Sequence, residues 1–436
     1  MKAVIMAGGK GTRLSTVLQD IPKPMVNLAG KPLLVHQIEN LKENGISDIT
    51  LVIGHLGHVI QDYFGDGHEF GVKITYFVEN EPLGTAGALA FMKNQLDEDF
   101  ILLFGDLFVN INFQRFYRFH KKCGADITLY THPNSHPYDS DIIISDQDNR
   151  VINWSYKNSE RVKDYKNQVN AGVYVIKPSV LEQIPKGKKI DLEKDIITKM
   201  ISRKAVYSYA CTEYVKDIGT PERLKKVEED YRRGICEKRN LKNKQKCIFL
   251  DRDGTINKHI GFLNSVEQMQ LEKNVAEAIS KINESEYLAI VVTNQPVIAR
   301  GECTTEELEN INNHMYTLLG NKGAYLDDLY YCPHHPDSGF DGEIKELKFD
   351  CNCRKPKTGM IQQAVKDHNI DVENSWIIGD TTIDIQTGIN AGLNTALVLT
   401  GEAGNDRKYQ VKADVRAENL EQCVEVIIEK GKHYER

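Results

Sequence analysis

The sequence predicts a protein of two α/β domains, and three observations lead to that prediction. Its 436 residues exceed what a single hydrophobic core normally serves. Short apolar runs that end in Gly or Asp recur in both halves, for example "KAVIMAGG", "FILLFGD", "KCIFLDRD" and "SWIIGD". Helix-length stretches of mixed polarity separate these runs, which is typical of mainly parallel sheets covered by helices on both faces.

The boundary between the halves lies in a segment rich in Lys and Arg. Thr220 predicts a helix N-cap, Pro221 the first turn of that helix, and Gly234 its end. A basic run of this kind can bind a partner, but we favour a solvated linker. The chain then divides into a first domain, a basic linker and a second domain, at residues 1–233, 234–244 and 245–436.

Composition and charge restrict the class of ligand. Hydrophobic residues make up 41% of the chain and charged residues 27%, as in an ordinary globular protein, and the formal net charge is −7. This acidic balance argues against binding to nucleic acid or to anionic membranes. No apolar run approaches the length of a transmembrane helix. Small anionic substrates fit this composition better than polyanions.

The N-terminus indicates the compartment. The segment "MKAVIMAGGKGTRL" carries a short apolar run that stops at Gly8, too short for a secretory signal. We therefore expect a cytoplasmic protein, whose thiols stay reduced. A tight group of cysteines in such a protein indicates a metal site rather than a disulfide framework.

A glycine-rich turn follows the first predicted strand. Gly8, Gly9 and Gly11 let the backbone N–H groups approach an anion closely, and Arg13 and Lys23 follow within a short distance. The spacing matches neither the P-loop nor the dinucleotide-binding pattern, so a simple strand-to-helix turn is the alternative. Two cations beside exposed amides suit a triphosphate.

Five segments of this half resemble the sugar-1-phosphate nucleotidyltransferases, and they occur in the family order over about 230 residues. They are "MAGGKGTRL" with "PKPM", "EPLGTAGAL", "FGDLFVN", "VNAGVYVI" and "VKDIGTPE". The resemblance implies a Rossmann-like, GT-A-like mixed sheet. It also implies transfer of a nucleotidyl group from a nucleoside triphosphate to a sugar 1-phosphate, with release of pyrophosphate.

The resemblance assigns roles to individual residues. The residues that it implies around the triphosphate are Gly8, Gly9, Gly11, Thr12, Arg13 and Lys23. Gly84 and Thr85 would line the base and ribose, and Asp106 and Asp217 would hold Mg²⁺. The chemistry agrees, because attack of a phosphate oxygen on the α-phosphorus brings together like charges that a metal and cations must offset. Each aspartate could instead cap a following helix.

The sugar phosphate would contact Asn170 and Lys157 by the same resemblance. Many relatives carry a Glu-Lys-Pro segment ahead of the "NAG" strand, and this chain lacks it. Lys157 is the nearest equivalent, and an exposed lysine without such a role is the alternative.

The second half opens with "KCIFLDRDGTIN", which places Asp251 and Asp253 at the end of a hydrophobic strand. Aspartates with this spacing can serve as a nucleophile and as a proton donor to a leaving alkoxide, with a phosphoaspartyl intermediate. A Mg²⁺ ion between them would offset the repulsion between carboxylate and phosphate. A turn rich in Asp, without catalytic function, is the alternative.

Three further segments, "VVTNQ", "CRKPKTGM" and "IIGDTTID", complete a resemblance to the haloacid dehalogenase superfamily of phosphatases. The resemblance implies a doubly wound parallel sheet, with Asp251 as nucleophile and Asp253 as general acid and then base. The residues implied to bind the substrate or its phosphoryl oxygens are Thr293, Asn294, Arg300, Arg354 and Lys355. Asp380 would complete the Mg²⁺ site with Asp251 and the Asp253 backbone, and Asp384 would support Lys355.

A cysteine-rich loop lies between these segments. Four soft or borderline ligands, able to close a tetrahedral Zn²⁺ site, are Cys332, His334, Cys351 and Cys353. Spacing alone does not choose between His334 and His335, and ordinary buried cysteines are the alternative. The zinc would be structural, because it would fix the loop that ends in Arg354 and Lys355.

The loop narrows the resemblance to the histidinol-phosphatase-like branch, and within it to the heptose bisphosphate phosphatases. "YYCPHHP", "TNQPVIARG" and "CNCRKP" carry this similarity, although relatives usually show Ser-Gly where this chain has Pro296-Val297. The resemblance implies a bifunctional enzyme that dephosphorylates D-glycero-D-manno-heptose 1,7-bisphosphate at C7. A guanylyltransferase would then convert heptose 1-phosphate and GTP to GDP-heptose for a surface glycan. The alternatives are a histidinol-phosphate phosphatase, or an N-terminal half that binds nucleotide without turnover.

Overall fold

The computed structural model describes residues 1–9, 21–158, 160–339 and 341–434. The chain separates into two compact units. Unit 1 comprises Met1–His132, Asp141–Tyr156 and Gln168–Asn240. Unit 2 comprises Pro133–Ser140, Lys157–Asn167 and Leu241–Arg436. Two short excursions from the N-terminal part of the chain therefore belong to unit 2.

Unit 1 is built on strands and helices that alternate along the chain. Its strands are β1 (Lys2–Met6), β2 (Asn27–Leu28), β3 (Lys31–Pro32), β4 (Asp48–Ile53), β5 (Lys73–Val78), β6 (Phe100–Phe104), β7 (Leu107–Asn110), β8 (Ile127–His132), β9 (Ile142–Ser145), β10 (Val151–Ser155), β11 (Val169–Ile176), β12 (Val206–Ala210) and β13 (Tyr214–Asp217). Its helices are α1 (Leu33–Glu43), α2 (Gly57–Phe64), α3 (Phe113–Cys123), α4 (Thr198–Ile201), α5 (Pro221–Arg232) and α6 (Ile235–Lys238). A π-helical turn spans Leu192–Ile197.

The main sheet of unit 1 is mixed. Within the described residues it has nine strands, and its central path runs β10-β9-β11-β6-β1-β4-β5, with β8 beside β11 and β12 beside β8. The strands β6, β1, β4 and β5 are parallel, whereas β11 runs antiparallel to β6. A separate antiparallel pair joins β13 to β7. The carboxyl ends of the parallel strands therefore lie at one edge of the sheet.

Helix α5 begins and ends as the sequence predicts. Thr220 is its N-cap and accepts a hydrogen bond from the backbone N–H of Arg223, and Pro221 occupies the first helical position. Gly234 follows the helix with a φ of +72°, a left-handed conformation that glycine adopts without strain. The Lys/Arg-rich segment after it is partly helical, because α6 begins at Ile235.

Unit 2 contains a second alternation of strands and helices. Its strands are β14 (Cys247–Leu250), β15 (Leu288–Asn294), β16 (Asp328–Cys332), β17 (Trp376–Gly379), β18 (Asn394–Val398) and β19 (Val415–Ala417). Its helices are α7 (Val275–Asn283), α8 (Thr305–Gly320), α9 (Gly359–His368), α10 (Thr382–Ala391) and α11 (Leu420–Tyr434).

The sheet of unit 2 is parallel throughout. Its six described strands follow the order β16-β15-β14-β17-β18-β19, so the chain winds outward from β14 in both directions. All residues of β14 are buried, and they contribute alternately to two apolar clusters, one on each face of the sheet. The order reverses between β14 and β17, which is where doubly wound sheets open a crevice for ligands. The predicted fold class, a mixed sheet followed by a doubly wound parallel sheet, is confirmed.

The two excursions in unit 2 are fixed to each other and to α8. The Arg161 guanidinium donates to the backbone carbonyls of Pro137, Tyr138 and Ser140, which joins one excursion to the other. His314 Nδ1 on α8 lies 2.8 Å from Asp164 Oδ1.

No helix in the described ranges combines the length and the apolar character that crossing a bilayer requires.

Candidate active sites

The first candidate site lies at the carboxyl edge of the parallel strands in unit 1. Gly8 and Gly9 follow β1, and Gly105 and Asp106 follow the neighbouring β6, where Met6 is in register with Phe104. The Gly105 N–H donates to the Met6 carbonyl at 3.0 Å. A Cβ at Gly105 would lie 3.1 Å from the same carbonyl oxygen, so a larger residue would push the two strand ends apart.

Two aspartates meet beside Lys23 at this edge. Lys23 Nζ lies 2.6 Å from Asp106 Oδ2. Asp217, at the end of β13, approaches Asp106 because the Ile218 N–H donates to the Asp106 carbonyl at 3.0 Å. Arg223 Nη1 donates to Asp217 Oδ2 at 2.5 Å. Burial would raise the pKa of Asp217, but the hydrogen bond and charge of Arg223 outweigh burial and lower it.

These two carboxylates fit a hard divalent cation. Asp106 and Asp217 are 37% and 38% exposed, so both can reach a ligand. Carboxylate oxygens are the ligands that Mg²⁺ prefers. Lys23 forms an ion pair with Asp106, and Arg223 forms one with Asp217.

The segment around Gly84 packs on the chain near Ile190. Gly84 has a φ of +79°, and a Cβ there would lie 2.4 Å from the Ile190 carbonyl oxygen. Thr85 Oγ1 accepts a hydrogen bond from the Leu192 N–H at 2.7 Å, which fixes the entry to the π-helical turn. The need for glycine at position 84 is therefore steric.

Glu79 is a residue of this edge that the sequence did not indicate. Its Oε1 accepts from the Leu83 N–H at 3.1 Å. A Cβ at Gly8 would lie 2.6 Å from Glu79 Oε2, and Gly54 is also close to that oxygen. Burial raises the pKa of this carboxyl. Glu79 thus joins the glycine-rich turn to the segment that contains Gly84, and its place five residues before Gly84 is the only sequence signal.

Asn170 belongs to a hydrogen-bonded group with Tyr174 and Glu193. Asn170 Nδ2 donates to Glu193 Oε1 at 2.7 Å, and the Tyr174 hydroxyl donates to the same oxygen at 2.7 Å. Burial raises the pKa of Glu193. Asn170 is therefore held in one orientation by a carboxylate from the π-helical turn, which the sequence did not indicate.

Some predicted residues are not placed at this edge. Gly11, Thr12 and Arg13 lie outside the described residues. Lys157 belongs to an excursion that groups with unit 2, and its Nζ lies 3.3 Å from Asp139 Oδ1.

The second candidate site lies at the switch point of the parallel sheet in unit 2. Asp251 follows β14 and Asp380 follows β17, so two adjacent strands deliver both carboxylates to one crevice. Glycine is needed around Asp380, because a Cβ at Gly254 would lie 2.2 Å from its Oδ2 and one at Gly401 would lie 2.0 Å away.

Lys355 joins two carboxylates of this crevice. Its Nζ lies 2.7 Å from Asp251 Oδ1 and 2.6 Å from Asp384 Oδ1, and all three side chains are buried. Burial would lower the pKa of Lys355, but the two carboxylates outweigh burial and raise it. Local sequence fixes Asp384, because Thr381 and Asp384 form the capping box of α10.

The donor set fits a divalent cation at Asp251 and Asp380. One ligand atom from each of Asp251, Asp380 and Asp384 lies within 4.8 Å of the others. Asp384 already bonds to Lys355 and Thr381, whereas the buried Asp380 Oδ1 has no hydrogen-bond partner within the described part of the chain. Burial and the neighbouring carboxylates raise the pKa values of Asp251 and Asp380, a repulsion that a cation would offset.

Asn294 and Thr293 stand at the end of β15. Asn294 Oδ1 accepts from the Lys355 N–H at 2.9 Å, and its Nδ2 donates to the Lys355 carbonyl at 3.2 Å. Asn294 therefore positions the backbone that carries Lys355. Thr293 Oγ1 accepts from Gln295 Nε2 at 2.9 Å.

Asp253 is surrounded by donors. Burial would raise its pKa, but the Arg252 charge and hydrogen bonds from Asn257 and Gln295 outweigh burial and lower it. The sequence indicated Asp253 but not these partners. Arg300 lies further out, where its guanidinium carbon is 4.1 Å from the centre of the Phe262 ring and its Nε is 2.6 Å from Glu302 Oε1.

The predicted cysteine and histidine ligands converge. Cys353 Sγ lies 3.3 Å from Cys332 Sγ, 3.2 Å from Cys351 Sγ and 3.2 Å from His334 Nδ1. His335 is turned elsewhere, since its Nδ1 accepts from the Asp337 N–H. Three thiols and an imidazole at these distances are a donor set that suits a tetrahedral soft metal. Arg354 Nη1 donates to the His334 carbonyl at 3.2 Å, which connects the group to Arg354.

Comparison with known proteins identifies the family of each half of the chain. A family profile described as Nucleotidyl transferase matches residues 2–234, and one described as HAD-hydrolase-like matches residues 352–423. The chain therefore belongs to the nucleotidyl transferase family over its N-terminal half and, by its relatives, to the heptose bisphosphate phosphatases over its C-terminal half. The predicted family resemblances are confirmed.

Two curated relatives and one solved structure illustrate the similarity. Mannose-1-phosphate guanylyltransferase of Mycobacterium tuberculosis is 32% identical over 54% of this chain, which spans 65% of the relative's length. D-glycero-beta-D-manno-heptose-1,7-bisphosphate 7-phosphatase of Haemophilus ducreyi is 40% identical over 36% of this chain and 86% of its own length. HddC from Yersinia pseudotuberculosis is 28% identical and covers 53% of this chain and 99% of its own, with a TM-score of 0.47.

Proposed function

We propose that this chain is a bifunctional enzyme of sugar-nucleotide synthesis. Unit 2 would remove the C7 phosphate of D-glycero-D-manno-heptose 1,7-bisphosphate, and unit 1 would transfer a nucleotidyl group to heptose 1-phosphate. The observation that carries the proposal is the alignment with a 7-phosphatase over 86% of its length, in a chain that also contains a nucleotidyl transferase domain. A phosphatase that attacked the anomeric phosphate would destroy the substrate of the transferase. Removal of the distal phosphate would instead supply it.

In the phosphatase reaction Asp251 would be the nucleophile. A carboxylate oxygen of Asp251 attacks the phosphorus, and the bond from phosphorus to the sugar oxygen breaks while Asp253 supplies that oxygen with a proton. Water, deprotonated by Asp253, then attacks the phosphoaspartate and releases inorganic phosphate. Asp251, Asp380 and the Asp253 backbone would hold Mg²⁺, which offsets the charge of the phosphoryl oxygens. Lys355 would bind the same oxygens, supported by its buried pairing with Asp384.

In the transferase reaction no protein nucleophile is needed. A phosphate oxygen of heptose 1-phosphate attacks the α-phosphorus of the nucleoside triphosphate, and the bond to pyrophosphate breaks. Lys23 and Arg13 would hold the triphosphate, and Asp106 and Asp217 would hold Mg²⁺. The pairing of Lys23 with Asp106 supports this assignment, because cation and carboxylate already share one edge of the sheet.

GTP is the nucleotide that we propose. The relative from M. tuberculosis is a guanylyltransferase by name. Glu79 supports the assignment chemically, because a carboxylate accepts from the adjacent N1–H and N2–H₂ groups of guanine. Glu79→Gln should lower kcat/KM for GTP by about 10-fold or more relative to the other nucleoside triphosphates. Glu81→Gln in the same segment is the matched control, and an unchanged preference in Glu79→Gln would remove Glu79 from base recognition.

We also propose Zn²⁺ for the group of Cys332, His334, Cys351 and Cys353. The thiols lie on both arms of the loop that leads to Lys355, so the ion would fix the loop rather than react. The reduced thiols in this group are consistent with the cytoplasm.

The test is ³¹P NMR of the full chain with Mg²⁺, heptose 1,7-bisphosphate and each nucleoside triphosphate in turn. We expect inorganic phosphate first, then pyrophosphate and a sugar nucleotide with GTP. Asp251→Asn should abolish phosphate release and leave transfer to supplied heptose 1-phosphate intact, and Asp217→Asn should do the reverse. Phosphate release from histidinol phosphate instead of the heptose would support the alternative phosphatase. Absence of triphosphate turnover in the unaltered chain would leave unit 1 a binding module.

A further inference from the structure

The residue between Asp251 and Asp253 in the sequence, Arg252, places a charged side chain in the interior of unit 2. Arg252 is 0% exposed, and it has the largest volume of the fully buried side chains in the described residues. Removing a guanidinium from water is costly unless its donors and its charge are matched. The hydrogen-bond partners of Arg252 therefore indicate the role that justifies burying its guanidinium.

The guanidinium contacts three side chains. Its Nη2 donates to both carboxylate oxygens of Asp253, at 3.2 and 3.0 Å, and to Gln295 Oε1 at 2.8 Å. Its Nη1 donates to Asn312 Oδ1 on α8 at 3.0 Å. Arg252 thus joins the proposed acid–base residue to a buried side chain of helix α8.

Gln295 closes this group on the other side of Asp253. Its Nε2 donates to Asp253 Oδ2 at 2.7 Å while its Oε1 accepts from Arg252. Asn257 Nδ2 donates to Asp253 Oδ1 at 2.9 Å. Asp253 is therefore fixed by donors on both oxygens, and the plane of the Arg252 guanidinium is fixed by Asn312.

We propose that Arg252, anchored by Asn312, is a positioning residue that orients Asp253 for proton transfer in the phosphatase reaction. The proposal rests on the proposed function of unit 2, because it assumes that Asp253 is the acid and base. Arg252 would act through its contacts with the Asp253 carboxylate and not on the substrate itself. Asn312 is the point at which α8 determines the orientation of the pair.

Asn312 offers a milder test than Arg252, whose replacement would leave a buried carboxylate without its charge partner. Asn312→Leu keeps the number and branching of the side-chain heavy atoms and removes the acceptor for Nη1, whereas Asn312→Asp keeps an acceptor oxygen. Asn313→Leu, at the next position of the same helix, is the matched control. Transfer of a nucleotidyl group to supplied heptose 1-phosphate should be unchanged in all three full-length variants.

Two substrates with different leaving groups separate a loss of Asp253 positioning from general damage to the site. Heptose 1,7-bisphosphate releases an alkoxide that needs a proton, whereas p-nitrophenyl phosphate releases a phenolate that does not. In Asn312→Leu we expect kcat for the bisphosphate to fall by about 10- to 100-fold with little change in KM, part of the 10²–10⁴ that acid–base catalysis contributes. With p-nitrophenyl phosphate we expect a burst of nitrophenolate at the normal rate, followed by slow turnover, because hydrolysis of the phosphoaspartate also needs Asp253.

The outcomes are distinct. The proposal also expects that kcat recovers in Asn312→Asp and that Asn313→Leu has normal rates. Equal losses on both substrates without a burst would reduce Asn312 to a structural residue, and a normal Asn312→Leu would overturn the proposal. If the unaltered chain released nitrophenolate but no phosphate from the bisphosphate, the proposed substrate would be wrong. The burst in Asn312→Leu would still decide the role of the arginine.

Discussion

The ionic groups of the two candidate sites differ in how far they are removed from water. In unit 2 the side chains of Lys355, Asp251 and Asp384 are 4%, 11% and 1% exposed. In unit 1 the side chain of Lys23 is 11% exposed, and that of its partner Asp106 is 37% exposed. The first group is a completed, buried network, whereas the second is a pair that keeps solvent access.

The difference follows from the two proposed reactions. A covalent nucleophile must be held at one place, so a buried lysine that bridges two carboxylates prepares the site before substrate arrives. Nucleotidyl transfer has no protein nucleophile, and its cations must leave their carboxylates to meet an incoming triphosphate and metal. A pair in which one partner keeps contact with water contributes less to stability than a fully buried network does.

The comparison predicts the largest loss of stability for Lys355→Met. Lys23→Met is the same substitution in the other site and serves as the reference. Lys355→Met leaves two buried carboxylates without their cation, so the free energy of unfolding of unit 2 should fall by about 3–5 kcal/mol and phosphate release should be lost. Lys23→Met should cost less than about 1 kcal/mol while nucleotidyl transfer is lost. Urea unfolding with both activity assays checks this, and equal costs would contradict the comparison.

Cys351→Ser should have the next largest effect. Loss of one of the proposed ligands should reduce bound zinc from about one ion per chain and lower the stability of unit 2 by about 3 kcal/mol, as loss of a metal does. Metal analysis and thermal unfolding of the purified chain check both. Cys423→Ser, a buried cysteine outside the group, should keep its zinc. A folded, zinc-free and active Cys351→Ser protein would exclude a structural zinc.

Asp328→Asn should have an intermediate, pH-dependent effect. Burial would raise the pKa of Asp328, but a hydrogen bond from His368 at 3.0 Å and the charge of Lys166 outweigh burial and lower it. A lowered carboxyl pKa adds stability above the unfolded value of about 4, and that stability is lost as the pH falls below it. The substitution should cost about 1–3 kcal/mol at pH 7 and flatten the decline of stability between pH 5 and 3. Urea midpoints across this range check the sign, and parallel curves for both proteins would contradict it.

The smallest effect is expected at the excursion that contains Asp164. Its contact with His314 is partly exposed, so Asp164→Asn should change the free energy of unfolding by less than about 1 kcal/mol. Phosphatase activity should stay within about two-fold of the unaltered chain. Asp139→Asn, which neutralises the carboxylate that lies 3.3 Å from Lys157 Nζ, is a comparable control. A large loss of phosphatase activity in Asp164→Asn alone would show that the excursion supports α8 more strongly than one ion pair can.

Local sequence predicted those parts of the sites that depend on position along a strand. Asp251 and Asp380 were predictable because each ends an apolar run, and parallel strands bring such ends to one edge. The cap of α5 was predictable from Thr220, Pro221 and Gly234. Glu79, Glu193 and the partners of Asp253 were not, because an isolated Glu, Gln or Asn has no pattern that indicates its hydrogen-bond partner.

The sequence by itself determined the α/β alternation and the two families. These depend on the order of residues and on local preferences that act within a few residues of the chain. Tertiary structure decided which carboxylate of the site in unit 2 stays open, because Asp384 accepts from Lys355 while Asp380 Oδ1 has no hydrogen-bond partner among the described residues. It also decided that Arg252, which contacts Asp253, is anchored by Asn312, sixty residues away in the chain. These contacts join segments that are far apart in the sequence, so they exist only in the folded chain.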